Sequence, residues 1–208
     1  MSGRDSVFLR ALGDEAAQLR PEVLEYVSGP PEGHAIGIGE GVFAVAGSPY
    51  RRLAGLLRLM VGPGVALTAY ERDVPFTIRN LPSSEGGALS LAAEREFRFG
   101  SGAQRFLDTL RVGAVPGTLV NVPGAHGRIE ILLSCSATEA GDLLLRSRAA
   151  RLRLGNRRIR LPRLLAVRLE AVDGWDAERE RRTIDVRVRS PLLGTVMRYR
   201  GWFRYRYA

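Results

Sequence analysis

From residue 65 to the C-terminus, apolar and polar residues alternate largely with a period of two. That period puts successive side chains on opposite faces of an extended chain, so it predicts β-strands. Strands are expected near 65–72, 75–80, 88–99, 103–112, 117–122, 128–137, 143–154, 157–161, 164–172, 182–189 and 195–206. Turn-forming stretches separate them, among them "LPSSEGG", "FGSG", "VPGAHG", "EAGD", "VDGWD" and "SPLLG". Gly155-Asn156, between "RLRL" and "RRIRL", reads as a tight hairpin. No long helical segments alternate with these strands, which argues against parallel β-α-β winding.

Before residue 65 the period lengthens. Phe8, Leu9, Leu12, Ala16 and Leu19 recur at helical spacing, so residues 5–27 read as helical, with Asp5 or Ser6 as cap and a break or restart at Pro21. The stretch "SPYRRLAGLLRLMVG" (48–62) predicts a second helix. Ser48 caps it, Pro49 opens it, and Leu53, Leu56, Leu57 and Met60 form one stripe with Arg51, Arg52 and Arg58 largely outside. A helix this short is expected to dock on the core; a membrane-surface role is not favoured. Between the helices, "GHAIGIGEGVFAVAG" carries Gly37, Gly39 and Gly41. It lacks a preceding strand, the dinucleotide spacing and a Gly-Lys-Ser/Thr, so it reads as a glycine-thinned strand rather than a phosphate loop. The expected fold is α+β: a large antiparallel, strongly curved sheet or barrel with two N-terminal helices packed on it. A single domain is expected over 1–208, helical over about 5–62 and β-rich over about 65–206.

Composition narrows the chemistry. At 45% hydrophobic and 25% charged, the chain is expected to fold rather than stay disordered. No apolar run approaches the ~18 residues of a membrane span, and the first residues lack a secretory pattern, so a cytoplasmic location is expected. All 31 basic residues are arginine. Schiff-base and P-loop chemistry through a lysine side chain are thereby excluded. Cys135 is the single cysteine, which excludes an internal disulfide or a cysteine-rich zinc site, and no metal or cofactor is expected.

The net charge of +9 raises the question of nucleic acid, and the C-terminal "TVMRYRGWFRYRYA" sharpens it. Along a strand, Met197, Tyr199, Gly201, Phe203, Tyr205 and Tyr207 point one way, and Val196, Arg198, Arg200, Trp202, Arg204 and Arg206 the other. A single-strand nucleic-acid platform needs aromatic and basic groups on the same face. Only Trp202 shares the arginine face, so nucleic-acid binding is disfavoured. If the sheet closes, an inward aromatic face suits an apolar ligand and an inward arginine face a carboxylate or phosphate; alternation alone leaves both open.

Individual candidates follow from pattern. Arg95 lies in "ALSLAAEREFRF" on the stripe of Leu89, Leu91, Ala93, Phe97 and Phe99. An arginine there must find a partner, line a wet cavity or reach past a sheet edge to water. Facing inward, it would clamp a carboxylate or enolate oxygen, with Tyr70, Tyr199 and Tyr205 as further donors. His126, in the turn "PGAHGR", is a candidate acid–base group, though a solvated turn histidine is the commoner outcome. A triad of His126 with Ser134 or Ser136 lacks a nucleophile elbow. Cys135 reads as a buried small residue.

The stretch "IDVRVRSPLLGTVMRYRGWF" (184–203) resembles the closing signature of a bacterial family known as domain of unknown function 4166. The stretches "ALGDEAAQLRPEV" (11–23), "GVFAVAGSPYRRLAGLLRL" (41–59) and "RLGNRRIRLPRLL" (153–165) are similar to its opening helix, its strand-then-helix step and its Leu-Pro segment. The resemblance implies a free-standing copy of a unit that elsewhere is fused to dehydrogenase-like domains, and it brings no catalytic residues. The leading expectation is therefore a binding domain for a hydrophobic small molecule bearing a carboxylate or enolate. Arg95, Tyr199 and His126 are the candidate catalytic groups of a cofactor-independent cyclase or isomerase. Tyr70, Phe97, Phe99, Met197, Phe203 and Tyr205 are the candidate pocket. A non-catalytic carrier, and an arginine surface for nucleic acid or anionic lipid, are the alternatives.

Overall fold

The structure is a computed structural model and describes residues 6–50, 62–155 and 157–208. Two helices, α1 (Val7–Leu12) and α2 (Pro21–Val27), flank a 3-10 turn at Gly13–Gln18. The expected long helix is thus broken. Ser6 caps α1 by accepting from the Phe8 amide, Gly13 ends it at a φ of 55°, and Pro21 starts α2 at its first position. The helix expected over 48–62 lies largely outside the described residues.

Eleven strands follow: β1 (Gly37–Gly47), β2 (Tyr70–Glu85), β3 (Ala88–Phe99), β4 (Gly102–Val112), β5 (Thr118–Pro123) and β6 (Ile129–Ala137), then β7 (Leu143–Leu154), β8 (Arg157–Arg160), β9 (Arg168–Asp176), β10 (Arg181–Ser190) and β11 (Gly194–Tyr207). Every pairing is antiparallel. All but β8 close into a ten-stranded barrel through β1 with β11, β6 with β7 and β7 with β9. Closure removes free sheet edges and turns the alternating faces into an inside and an outside. Among the described residues no helix is long and apolar enough to cross a membrane.

Two strand boundaries differ from the sequence reading, for local reasons. The strand expected at 65–72 starts only at Tyr70 and runs on through the one expected at 75–80 as the single strand β2, in which Asp73 takes a φ of 51° opposite the β1 irregularity between Phe43 and Val45. "LPSSE" belongs to that strand, and Gly86-Gly87 alone make the turn, both at positive φ. "VDGWD" lies inside β9 rather than in a turn. Gly174 is required there because a Cβ would fall 2.7 Å from an Asp142 carboxylate oxygen. The glycine run of β1 likewise packs closely: a Cβ on Gly39 would meet Ile78 at 2.4 Å, and one on Gly41 would meet the Trp202 carbonyl at 2.0 Å.

The wall is incomplete on one side. β7 pairs with β9 only from Leu143 to Arg146, and its far half, Arg151–Leu154, pairs with β8 instead. The strands part at Ser147, whose hydroxyl accepts from the Leu169 amide at 2.8 Å. The split opens toward the end of the barrel where β7 meets β8 and where the 161–167 and 191–193 turns lie. The helices close the other end, where Val7, Phe8, Val23 and Val27 pack against Leu110, Leu119, Leu133 and Leu143.

Candidate functional site

The barrel interior is mostly apolar, and two ion pairs stand out in it. Arg95 on β3 and Asp108 on β4 both face inward, and the Arg95 Nη1 donates to Asp108 Oδ1. Asn121 on β5 donates to the other Asp108 oxygen at 2.7 Å. Burial opposes charge on Arg95, but the adjacent Asp108 outweighs it and holds the guanidinium firmly protonated. Arg182 on β10 pairs with Asp173 on β9. Arg182 also donates to the Glu22 carbonyl at 2.8 Å and lies 3.8 Å over the Tyr26 ring, tying the barrel wall to α2. Burial pushes the Asp173 pKa up, Arg182 opposes it through its charge and its hydrogen bond, and the net shift is upward. Each acid has its base, so these four buried charges sum to zero.

Two cavities abut between these groups and the split. The first, of about 110 Å³, is lined by Arg95, Asp108, Asn121, Asp173 and Tyr199 among mostly apolar side chains. The second, of about 210 Å³, is almost wholly aliphatic and is lined by Leu67, Ile131, Ala150, Leu165, Val167 and Val188. Phe106, Asn121, Leu169 and Met197 line both. Together they reach the lower end of the range usual for ligand sites, roughly 300–1,000 Å³. Leu165 lines the aliphatic chamber and is also 64% exposed, so it stands at the mouth.

The polar end of this space has donors to spare. Among the described residues, Arg95 has one hydrogen-bonded partner for its five N–H groups, and the Tyr199 hydroxyl has none. Burial raises the Tyr199 pKa, while the nearby Arg95 charge lowers it, and the net shift is upward. The phenol is therefore neutral and able to donate.

The remaining predicted residues land elsewhere. Met197 and Phe203 line the central cavity with Arg95 and Tyr199. Phe97 and Phe99 point inward but stack on one another at 6.0 Å, and Phe97 also stacks on Phe43 at 5.2 Å. These rings fill their side of the barrel and line none of the cavities described. Tyr205 sits at the helix end, where Asn80 donates to its hydroxyl at 2.9 Å and to that of Tyr26 at 3.2 Å. Tyr70 is 49% exposed at the start of β2. His126 is exposed in its turn, against Gly62, and the structure brings neither Ser134 nor Ser136 to it. Cys135 packs beneath the helices, and burial pushes its thiol up to about 12. The arginine face of β11 points outward, with Arg198 and Arg200 fanned around Asp185. Trp202, the one aromatic on that face, is covered by Arg181 at 4.5 Å.

Sequence reasoning singled out Arg95 but missed Asp108, Asn121, Asp173 and Arg182. The same signal marks all four. Asp108 lies between Phe106 and Leu110 at alternate positions, Asp173 follows Ala171, and Arg182 begins the stripe of Ile184, Val186 and Val188. Asn121 shares its stripe with Leu119 and Pro123.

The chain is similar to the uncharacterized protein YndH of Bacillus subtilis (strain 168), at 30% identity over 160 residues, covering 72% of this chain and 75% of that protein. The pattern described as "Domain of unknown function (DUF4166)" matches residues 19–203, from the turn before α2 to the inward Phe203 of the closing strand. The chain therefore belongs to the DUF4166 family.

Proposed function

We propose that the barrel binds a hydrophobic small molecule, with its apolar body in the aliphatic chamber and one oxygen at Arg95 and Tyr199. The observation that carries this reading is the junction of two unlike chambers: an aliphatic one behind a split wall, and one furnished with spare donors. The balance of charge selects the oxygen. Asp108 already neutralises Arg95, and Asp173 neutralises Arg182, so a carboxylate would bring an unpaired charge into a low-dielectric interior. A carbonyl or hydroxyl oxygen accepts the same hydrogen bonds without that penalty. A neutral acceptor thus replaces the carboxylate or enolate oxygen expected from the sequence.

Native mass spectrometry of the protein purified from its own host, compared with a denatured sample, tests the reading. A co-purifying neutral, largely apolar compound released on unfolding supports it. A protein that carries and accepts no such compound overturns it.

A second reading, a cofactor-independent cyclase or isomerase, draws on the same two donors. Hydrogen bonds aimed at one carbonyl oxygen polarise it, and a snug chamber holds a flexible substrate in a reactive shape. Turnover of the released compound separates this enzyme from a carrier. In an enzyme, Tyr199→Phe lowers kcat with little change in KM; in a carrier, the bound compound is recovered unaltered.

A further inference from the structure

Of the ten exposed large apolar side chains among the described residues, only Leu81 and Val115 lie toward the helix-capped end. The others gather at the opposite end, led by Leu154, Ile159, Leu164, Leu165, Leu192 and Leu193. They lie on neighbouring turns and strand tips: the β7–β8 hairpin, the 162–166 turn beside it, and the β10–β11 turn. Tyr50 reinforces the last of these by donating to the Leu193 carbonyl at 2.6 Å. Concentration of exposed leucine at one end of a barrel marks a contact surface rather than ordinary scatter.

Charge identifies what that surface meets. Between Asp142 and Glu170 the chain holds nine arginines and no acidic residue. Arg151, Arg153, Arg157, Arg160, Arg163 and Arg168 are exposed, and among the described residues none of the six is in a salt bridge. This differs from the outer face of β10 and β11, where Asp185 gathers Arg187, Arg198 and Arg200. The side chains interleaved with the six arginines are aliphatic. They offer no base-stacking platform, but they suit the boundary between headgroups and acyl chains.

We propose that this end of the barrel docks on an anionic lipid surface. Leu164, Leu165, Leu192 and Leu193 enter the headgroup layer, and the arginines of 151–168 pair with lipid phosphates. The split between β7 and β9 then faces the bilayer, with Leu165 at once on the docking surface and at the mouth of the aliphatic chamber. Docking rests on the surface alone; passage of a ligand between bilayer and chamber rests on the binding function proposed above.

Vesicle flotation with the full-length protein tests the docking. Vesicles of phosphatidylglycerol and phosphatidylcholine are expected to bind at least about tenfold better than phosphatidylcholine alone, given an attraction of order 1 kcal/mol per surface arginine. Leu164→Asp/Leu192→Asp and Arg157→Gln/Arg160→Gln/Arg163→Gln are each expected to lower binding at least about tenfold, with melting temperatures unchanged because the altered residues are exposed. Ala150→Val, which narrows the chamber, keeps the two claims apart: it should float as the wild type does even where it has lost a cavity ligand. The proposal is overturned if the wild type ignores anionic vesicles or if the leucine variant binds like the wild type. A preference for an oligonucleotide over vesicles, lost in the arginine variant alone, overturns it equally.

Discussion

At the helix-capped end of the barrel, Val23 and Val27 are 0% and 1% exposed beneath a lid that the chain supplies itself; at the other end, Leu164, Leu165 and Leu192 are 63%, 64% and 66% exposed. Both ends are rich in leucine and arginine, so composition does not separate them. Partnership does. At the helix end, Arg182 has Asp173, the Glu22 carbonyl and the Tyr26 ring, and Arg20 donates to the carbonyls of Ala140 and Trp175. At the split end, the arginines of 151–168 have one salt bridge among the described residues, from Arg158 to Glu130. The helix end ties most of its charged groups to the chain itself, and the split end leaves its exposed arginines for something outside it.

The layer between the two ends should be the most sensitive to change. Asp108→Leu strands the buried Arg95 charge and should cost about 3–5 kcal/mol in chemical denaturation. Arg95→Met/Asp108→Leu should recover most of that, since an apolar pair leaves no charge uncompensated; failure to recover would mean that the pair does more than balance itself. Next comes packing. Leu119→Ala, at 0% exposure beneath the helices, should cost about 2–5 kcal/mol. Ala150→Val adds two carbons beside the chamber of about 210 Å³, and should shift stability by less than about 1.5 kcal/mol. Equal costs at the two sites would erase the contrast between a filled end and a hollow one.

The helix end should also respond to alkali. Burial raises the pKa values of Tyr26 and Tyr205, and pushes Tyr207 from 10.0 up to about 12. A phenol whose folded pKa is raised holds its proton more tightly folded than unfolded. Its contribution is therefore fully present below pH 10 and is lost as pH rises toward 12. Melting temperatures measured from pH 9 to 11 should fall above about pH 10, and Tyr26→Phe should flatten the fall. The smallest effect belongs to the split end: Leu164→Asp should alter stability by no more than about 0.5 kcal/mol while weakening vesicle binding.

How much of this was legible in the sequence depended on whether a signal was local. The period-two pattern located β3 and β7 to the residue, because alternation and glycine turns are carried by neighbours in the chain. The same alternation sorted the β11 side chains into an aromatic face and an arginine face, but only barrel closure decides which turns inward: Met197, Tyr199 and Phe203 are buried and Arg200 and Arg204 exposed. Other features needed partners far along the chain. Asp73 reads as a turn residue until the β1 irregularity opposite it is known, and Gly174 reads as a turn until Asp142 occupies the space of its missing side chain. The site shows the same divide. Arg95 stood out on its apolar stripe, but that it meets Asp108, and that Asn121 holds Asp108 in turn, is a fact of barrel closure. Phe97 and Phe99 were read as pocket lining because they are aromatic and inward. Stacking with Phe43 uses up the space they would have lined.

The proposed ligand presents a neutral oxygen, not an anion, to Arg95 and Tyr199. Calorimetric titration at pH 7 with 2-acetonaphthone and with 2-naphthoate compares two ligands that share a ring system and differ in charge. The ketone should bind at least about tenfold more tightly, because the Arg95–Asp108 pair leaves no free positive charge for the carboxylate. Tighter binding of the naphthoate, or binding of neither, would contradict it.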